Sequence, residues 1–176
     1  MRHIHSMPTN GAILSNTLNT EQYKNAILYF VKYCNNDLLG KTKLYKLLYY
    51  LDFISYRDTG KSVTGDIYIK QEYGPIPSRV DEVLAELKNS GSINTDIVSS
   101  GPKDRVQFSL GAGASLDESV FTAQQKELLE NICKEFAGWT REKIVNQTHL
   151  EAPWFFSKPY DVVDYSYAKD IDFFVK

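Results

Sequence analysis

The chain has 176 residues, 43% hydrophobic and 24% charged, proportions that suit one globular domain with a core of ordinary size. Lys plus Arg number 20 and Asp plus Glu 22, a formal net charge of −2, which argues against a strongly basic nucleic-acid binder. No apolar run approaches the roughly 20 residues that span a bilayer, and the N-terminus lacks the apolar stretch of a signal peptide, so the chain is expected to be cytoplasmic with no membrane partner.

Residues 1–19 are polar and aperiodic, with Pro8, Asn10, Gly11 and Asn16, and read as a flexible arm. His3 and His5 are assigned to a solvated tail. Thr20 suits a helix N-cap and Glu21 the first turn. Tyr23, Ala26, Ile27, Phe30, Val31 and Cys34 recur at steps of three and four, giving an amphipathic helix that ends near Asn35 and Asn36. A second helix is predicted from Thr42 to Arg57, with Gly60 as the stop. Leu44, Leu47, Leu48, Leu51 and Ile54 form one stripe; Tyr45, Tyr49, Phe53 and Tyr56 form an adjoining one. Two apolar faces mark a helix packed on more than one side, the central helix of the domain.

Val63, Ile67, Tyr68 and Ile69 favour extended structure, while Gly65-Asp66 and Gly74-Pro75 are predicted to turn the chain. The segment Tyr73-Gly74-Pro75-Ile76-Pro77 is stiff, and aims the helix that follows. Ser78 is the expected cap of that helix, Val80, Val83, Leu84 and Leu87 its buried face, and Gly91 its end. Strands at Ile93–Val98 and Arg105–Leu110 form a hairpin with a longer loop over 99–104, and 111–115 form a flexible connector. Thr122 with Gln125 three residues on is a capping-box pattern, opening a helix with Leu128, Leu129, Ile132, Cys133 and Phe136 inward. A further helix is expected over Thr140–Thr148, and a last one near Ala168–Val175 that packs an aromatic tail back onto the domain. Cys34 and Cys133 both fall in apolar helical patterns and read as small buried hydrophobes in a reducing compartment.

Candidate chemistry is sparse. Asp52, Asp66 and His149 are the one plausible acid–base set, a carboxylate orienting an imidazole. No spacing demands their proximity. Asp52 can pair with a cation of its own helix, and Asp66 can bond the backbone of its own turn. Lys43 and Lys46, a turn apart, read as the solvated edge of a buried helix, with an anchor for an acidic partner as the sharper alternative. The helix-then-hairpin order over 78–110 admits a winged helix, but Asp81, Glu82 and Glu86 on that helix oppose phosphate contact. Tyrosine is abundant, with 12 copies, and suits a protein interface as well as the wet edge of a core.

Lys43-Leu44 through Asp52-Phe53, then Thr64-Gly65-Asp66-Ile67-Tyr68, then Tyr73-Gly74-Pro75-Ile76-Pro77 together resemble the Panacea domain, the SocA-like or GepA-like, phage-associated antitoxin family. Thr148-His149 with Pro153-Trp154 resembles the family's C-terminal serine–histidine and proline–tryptophan segment, with threonine in place of serine. The resemblance covers about residues 22–155 and leaves out the arm and the aromatic tail. It implies an antitoxin that neutralises a cognate toxin encoded nearby by direct protein contact, with a Clp-type protease as a second partner where the antitoxin acts as a proteolytic adaptor. It transfers no catalytic residue, metal or cofactor.

The combined expectation is an α+β, mostly helical single domain with a small antiparallel sheet, a flexible arm over 1–19 and the antitoxin domain over 20–176. The residues assigned to partner contact are Lys43, Lys46, Tyr50, Asp66, Tyr73, Pro75, His149 and Trp154. A winged-helix DNA-binding regulator and a hydrolase built on Asp52, Asp66 and His149 are the rival readings.

Overall fold

The structure is a computed structural model that describes residues 17–34 and 37–176. It is α+β: helices α1 (Thr20–Tyr33) and α2 (Lys41–Thr59), strands β1 (Tyr68–Gln71) and β2 (Gly74–Pro77), α3 (Val80–Asn89), strands β3 (Ile93–Ser100) and β4 (Lys103–Leu110), then α4 (Ala123–Phe136), α5 (Arg141–His149) and α6 (Ala152–Phe155). Short 3-10 turns lie at Glu118–Val120 and Tyr165–Asp170. The strands form two separate antiparallel pairs, β1–β2 and β3–β4.

Helix α2 is central, as its two apolar stripes require. Every residue from Lys43 to Ser55 is buried, and the helix packs against α1, α4, α5, β2, β4 and the Tyr165–Asp170 turn. Gly60 ends it, its N–H donating to the Tyr56 carbonyl at 2.8 Å. Arg57, in its last turn, holds the C-terminal tail: Nη1 donates to the Ile171 and Phe173 carbonyls at 2.6 and 2.7 Å. This guanidinium is what turns the aromatic tail back onto the domain, placing Phe173 against Tyr50 and Phe136 at centroid distances of 5.4 and 5.0 Å.

Several boundaries differ from expectation for local reasons. Asn19, not Thr20, caps α1 by accepting from the Gln22 N–H at 3.1 Å; the predicted end of that helix at Asn35 and Asn36 lies outside the described residues. The Tyr73–Pro77 segment is mostly strand rather than turn: β2 pairs with β1 from Tyr68↔Pro77 to Gln71↔Gly74, so the turn falls at Glu72-Tyr73. Prolines are tolerated there because β2 lies at an edge. The other edge of β1 is covered by the chain near Tyr160–Val163, with Val163 N–H donating to the Tyr68 carbonyl at 2.7 Å and Tyr160 N–H to Lys70 at 2.9 Å. Arg79 rather than Ser78 is the N-cap residue of α3. The β3–β4 hairpin is longer and its turn tighter than predicted, only Gly101-Pro102 separating the last pair, Ser100↔Lys103. The connector over 111–115 is tied to the end of α3, Gly111 and Gly113 N–H donating to the Ser92 and Gly91 carbonyls. The Thr122–Gln125 capping box forms in both directions. The last helix expected at Ala168–Val175 is replaced by the earlier 3-10 turn, because the carbonyls of Ile171 and Phe173 are taken by Arg57 instead of a helical ladder.

Cys34 and Cys133 are joined in a disulfide that links the end of α1 to α4 across 99 residues of sequence. This corrects the reading of two separate buried thiols. Both side chains sit on the inward faces of their helices, as the periodicity required, but facing each other, which no periodicity reveals.

Leu48 is 0% exposed at the middle of α2. Leu48→Ala is expected to cost about 2–5 kcal/mol through lost contacts and an unfilled cavity. Chemical denaturation reads this directly, and a midpoint equal to wild type would remove α2 from the centre of the fold.

Candidate functional site

The site grows from one carboxylate of α2. Asp52 is fully buried and accepts from the N–H groups of Val63 and Thr64 at 2.9 and 2.8 Å, from the Thr64 hydroxyl, and from the Tyr68 hydroxyl at 2.7 Å. Burial raises its pKa to about 6, against the pull of these hydrogen bonds. The ordered turn then delivers Asp66. Its oxygens accept from Tyr23 Oη at 2.8 Å, Ser78 Oγ at 2.7 Å and the Arg79 N–H at 2.9 Å, while its carbonyl accepts from Tyr165 Oη at 2.7 Å. Asp66 thereby joins α1, the start of α3 and the C-terminal segment. A carboxylate at the N-terminus of α3 also faces the positive end of that helix dipole. Between the two aspartates, Gly65 has φ +74°, and a Cβ there would lie 2.5 Å from the Thr17 carbonyl oxygen.

The two lysines expected at a solvated helix edge are instead wholly buried. Lys43 Nζ donates to the carbonyls of Ala137 and Trp139, each at 2.8 Å, closing the end of α4. Lys46 Nζ donates to the Pro75 carbonyl at 2.7 Å and fixes β2. Burial lowers the pKa of Lys43 to about 8, and burial with the Arg141 charge lowers that of Lys46 to about 7. Gly74, φ +101°, is required beside this contact: a Cβ would meet Thr148 Oγ1 at 2.6 Å and Lys46 Cε at 2.8 Å.

The β1–β2 hairpin is clasped from the other side by α5 and α6. Trp154 Nε1 donates to the Gln71 carbonyl at 2.9 Å. The His149 ring stacks on Trp154 at 4.0 Å, and Lys70 Nζ lies 4.1 Å from the Trp154 ring centroid. Burial lowers the His149 pKa, opposed by the Glu72 backbone and reinforced by the charges of Lys46 and Lys70. Tyr73, 46% exposed at the hairpin turn, carries the Arg141 guanidinium 4.7 Å from its ring centroid. Tyr50, stacked on Phe136, donates to Glu151 Oε1 at 2.7 Å.

The eight residues assigned to partner contact thus fall into two groups. Lys43, Lys46, Tyr50 and Asp66 are buried and hydrogen-bonded within the chain, and Pro75 is buried with them. Tyr73 reaches solvent, with His149 and Trp154 half-buried beside the same hairpin. Asp52 and Asp66 converge on one turn, whereas His149 lies against Trp154 with Nε2 unpartnered among the described residues. The acid–base set is therefore not hydrogen-bonded into a relay. No group of three or more His, Cys, Asp or Glu among the described residues is arranged to hold a metal, and no described helix is long and apolar enough to cross a membrane. Glu151 was not foreseen. Its only sequence signal is its place between His149 and Pro153-Trp154, and an isolated glutamate carries no mark of burial.

This clasped hairpin coincides with a family signature. The model of the antitoxin SocA-like, Panacea domain family matches residues 44–155. The chain belongs to that family. The Panacea match begins inside α2 and ends at the close of α6, so it contains Asp52, Asp66, the β1–β2 hairpin and the His149–Trp154 stack, and excludes Tyr23 and the aromatic tail. The family name groups the chain with antitoxins and implies a toxin partner in general terms; it points to a binding protein rather than an enzyme. Neither a curated protein nor a solved structure matches the chain.

Two outcomes follow from this geometry. Asp66→Ala leaves four donors, Tyr23 Oη, Ser78 Oγ and the N–H groups of Ile67 and Arg79, without their acceptor and is expected to lower stability by about 3 kcal/mol or more, with Asp66→Asn milder; urea denaturation of both is the check, and a wild-type midpoint for the alanine variant would mean the cluster does not hold these elements together. Glu151 gives a pH signature. Burial raises its pKa from 4.5 to about 8, so the fold favours the protonated acid, and this contribution is complete below pH 4.5 and lost as pH rises through about 8. Glu151→Gln removes the cost of ionisation. Its melting temperature relative to wild type is expected to climb across that window; a constant difference would show that Glu151 titrates normally.

Proposed function

We propose that this chain neutralises a cognate protein toxin by binding it directly, through the hairpin face that carries Tyr73, Trp154 and His149. The observation that carries the reading is the Panacea match over residues 44–155. The chemistry of the site supports it. Asp52, Asp66, Lys43 and Lys46 have their polar groups engaged inside the fold, so they serve to hold a rigid surface. What that surface offers is aromatic and cationic: Tyr73 under Arg141 and Trp154 under Lys70. Aromatic and arginine side chains are the residues that anchor protein interfaces. In this reading Lys46 and Pro75 act by fixing the hairpin, and Tyr50 by holding the segment that carries Trp154.

One observation favours the DNA-binding alternative. A groove of about 470 Å³ between β4 and the start of α2 gathers Lys41, Lys103, Arg105 and Arg141, with Asp104 as its acidic member. Against it, Lys41 pairs with Asp81 at 3.0 Å and Arg79 with Glu82 at 2.6 Å, so the α3 side of the molecule carries its own carboxylates. Phosphate binding would meet that charge.

Co-expression with the toxic product of a neighbouring gene is expected to restore growth, and the two proteins are expected to co-purify. Tyr73→Ala with Trp154→Ala should weaken both. Toxin half-life separates the two modes: sequestration leaves it unchanged, while delivery to a Clp-type protease shortens it. Rescue without any physical association, or tight salt-sensitive binding of promoter DNA in its place, would overturn the proposal.

A further inference from the structure

A second surface lies on the far side of the α5–α6 junction and is used by nothing described so far. It is a cleft of about 630 Å³ lined by Leu150, Glu151, Phe155, Phe156, Asp170, Asp172 and their neighbours. Two features set it apart. Leu150, Phe155 and Phe156 are 80%, 62% and 63% exposed, an unusual concentration of large apolar side chains in water. Beside them stand three carboxyl groups, and no lysine, arginine or histidine among the described residues lines the cleft.

Glu151 is the decisive member. It is 6% exposed, its Oε1 is occupied by the Tyr50 hydroxyl, and its Oε2 is buried without a hydrogen-bond partner among the described residues. A buried carboxyl oxygen left open is costly unless something completes it. Asp170 and Asp172 are exposed on the tail segment and add negative charge at the same opening.

We propose that this cleft is the docking socket for an arginine side chain of the partner protein. The inference rests on the antitoxin reading and names the chemistry of the partner at a second contact. Arginine satisfies the whole lining at once. Its aliphatic stem packs on Leu150 and the phenylalanines, its planar guanidinium stacks on an aromatic face, and its fork of donors meets Asp170 or Asp172 at the opening, with its charge beside the buried Glu151. A lysine would supply the charge but neither the fork nor the stacking plane. A purely apolar segment would bury the carboxyl groups uncompensated. The raised proton affinity of Glu151, caused by burial and increased by Asp172, agrees: a guanidinium arriving at this group favours the carboxylate, so docking releases a proton. Glu151 and Phe155 belong to the family-matched region, whereas Asp170 and Asp172 belong to the tail beyond it. Part of the charge of the socket is therefore supplied from outside the family region.

The test uses the full chain and two probes, the peptide acetyl-Leu-Arg-Leu-amide and its citrulline counterpart, which keeps the shape and loses the charge. Backbone amide resonances of Leu150, Ala152 and Phe155 report binding. The arginine peptide is expected to shift them saturably, with an affinity about tenfold tighter than the citrulline peptide, the worth of one charge-assisted hydrogen bond. Asp170→Asn with Asp172→Asn, both at exposed positions that leave the fold intact, should narrow that difference, and Glu151→Gln should abolish the proton release. Equal binding of the two peptides would make the cleft a plain apolar groove, and no shift at millimolar peptide would remove the socket; either result overturns the inference. Neither result touches the growth-rescue experiment, so failure here and failure of the antitoxin reading are separable.

Discussion

The fold depends on the side chain of Asp52. It is buried in the middle of the central helix and accepts from four donors of the segment that follows α2. Only an ionised carboxylate can accept so many hydrogen bonds without offering a donor of its own. Without it, the N–H groups of Val63 and Thr64 would be buried and unpaired, and the turn would have no reason to lie against the helix. With the turn in place, Asp66 is delivered to the junction of α1 and α3, where it repeats the same chemistry on Tyr23, Ser78 and Arg79. Two acidic residues thus organise elements distant in sequence through hydrogen bonds to fixed backbone positions.

The buried lysines complement this arrangement. Lys43 and Lys46 are a turn apart on α2, yet one closes the C-terminal end of α4 and the other holds β2 through Pro75. The carbonyls at a helix end carry partial negative charge and lack intrahelical donors, so an ammonium there replaces both water and a cap. Carboxylates and ammonium groups of one helix together define where the hairpin, α3 and α4 meet it. The outcome is a scaffold whose titratable interior is engaged in architecture, leaving aromatic and cationic side chains for the outer face of the hairpin.

That division bears on function. Here the acidic and basic side chains of the family-matched region hold one another's neighbours in place. Glu151 departs from the pattern: it is buried, satisfied at one oxygen and open at the other, and it lies where the matched region meets the tail. Arg57 brings that tail to it by donating to the carbonyls of Ile171, Phe173 and Phe174.

The sequence by itself determined helices α1 to α5 and their inward faces, because a 3.6-residue period in apolar side chains is local and survives any arrangement of neighbours. It marked α2 as central through two stripes, placed the Thr122–Gln125 cap, and carried the Panacea segments in an order that identified the family. It placed a turn at Gly74-Pro75, where β2 begins, since glycine and proline signal turns locally while an edge strand paired through β1 is a non-local choice. It put Lys43 and Lys46 at a solvated edge because a lysine reads as exposed until the carbonyls that receive it are known. It kept Cys34 and Cys133 apart because 99 residues separate two half-cystines that only the packing of α1 on α4 brings together. Tertiary structure alone decided which carboxylates are buried, which aromatics face water and that Glu151 lies buried at the wall of a cleft, for a physical reason: burial and hydrogen-bond partnership are properties of several chain segments meeting, and a pattern read along one segment does not contain them.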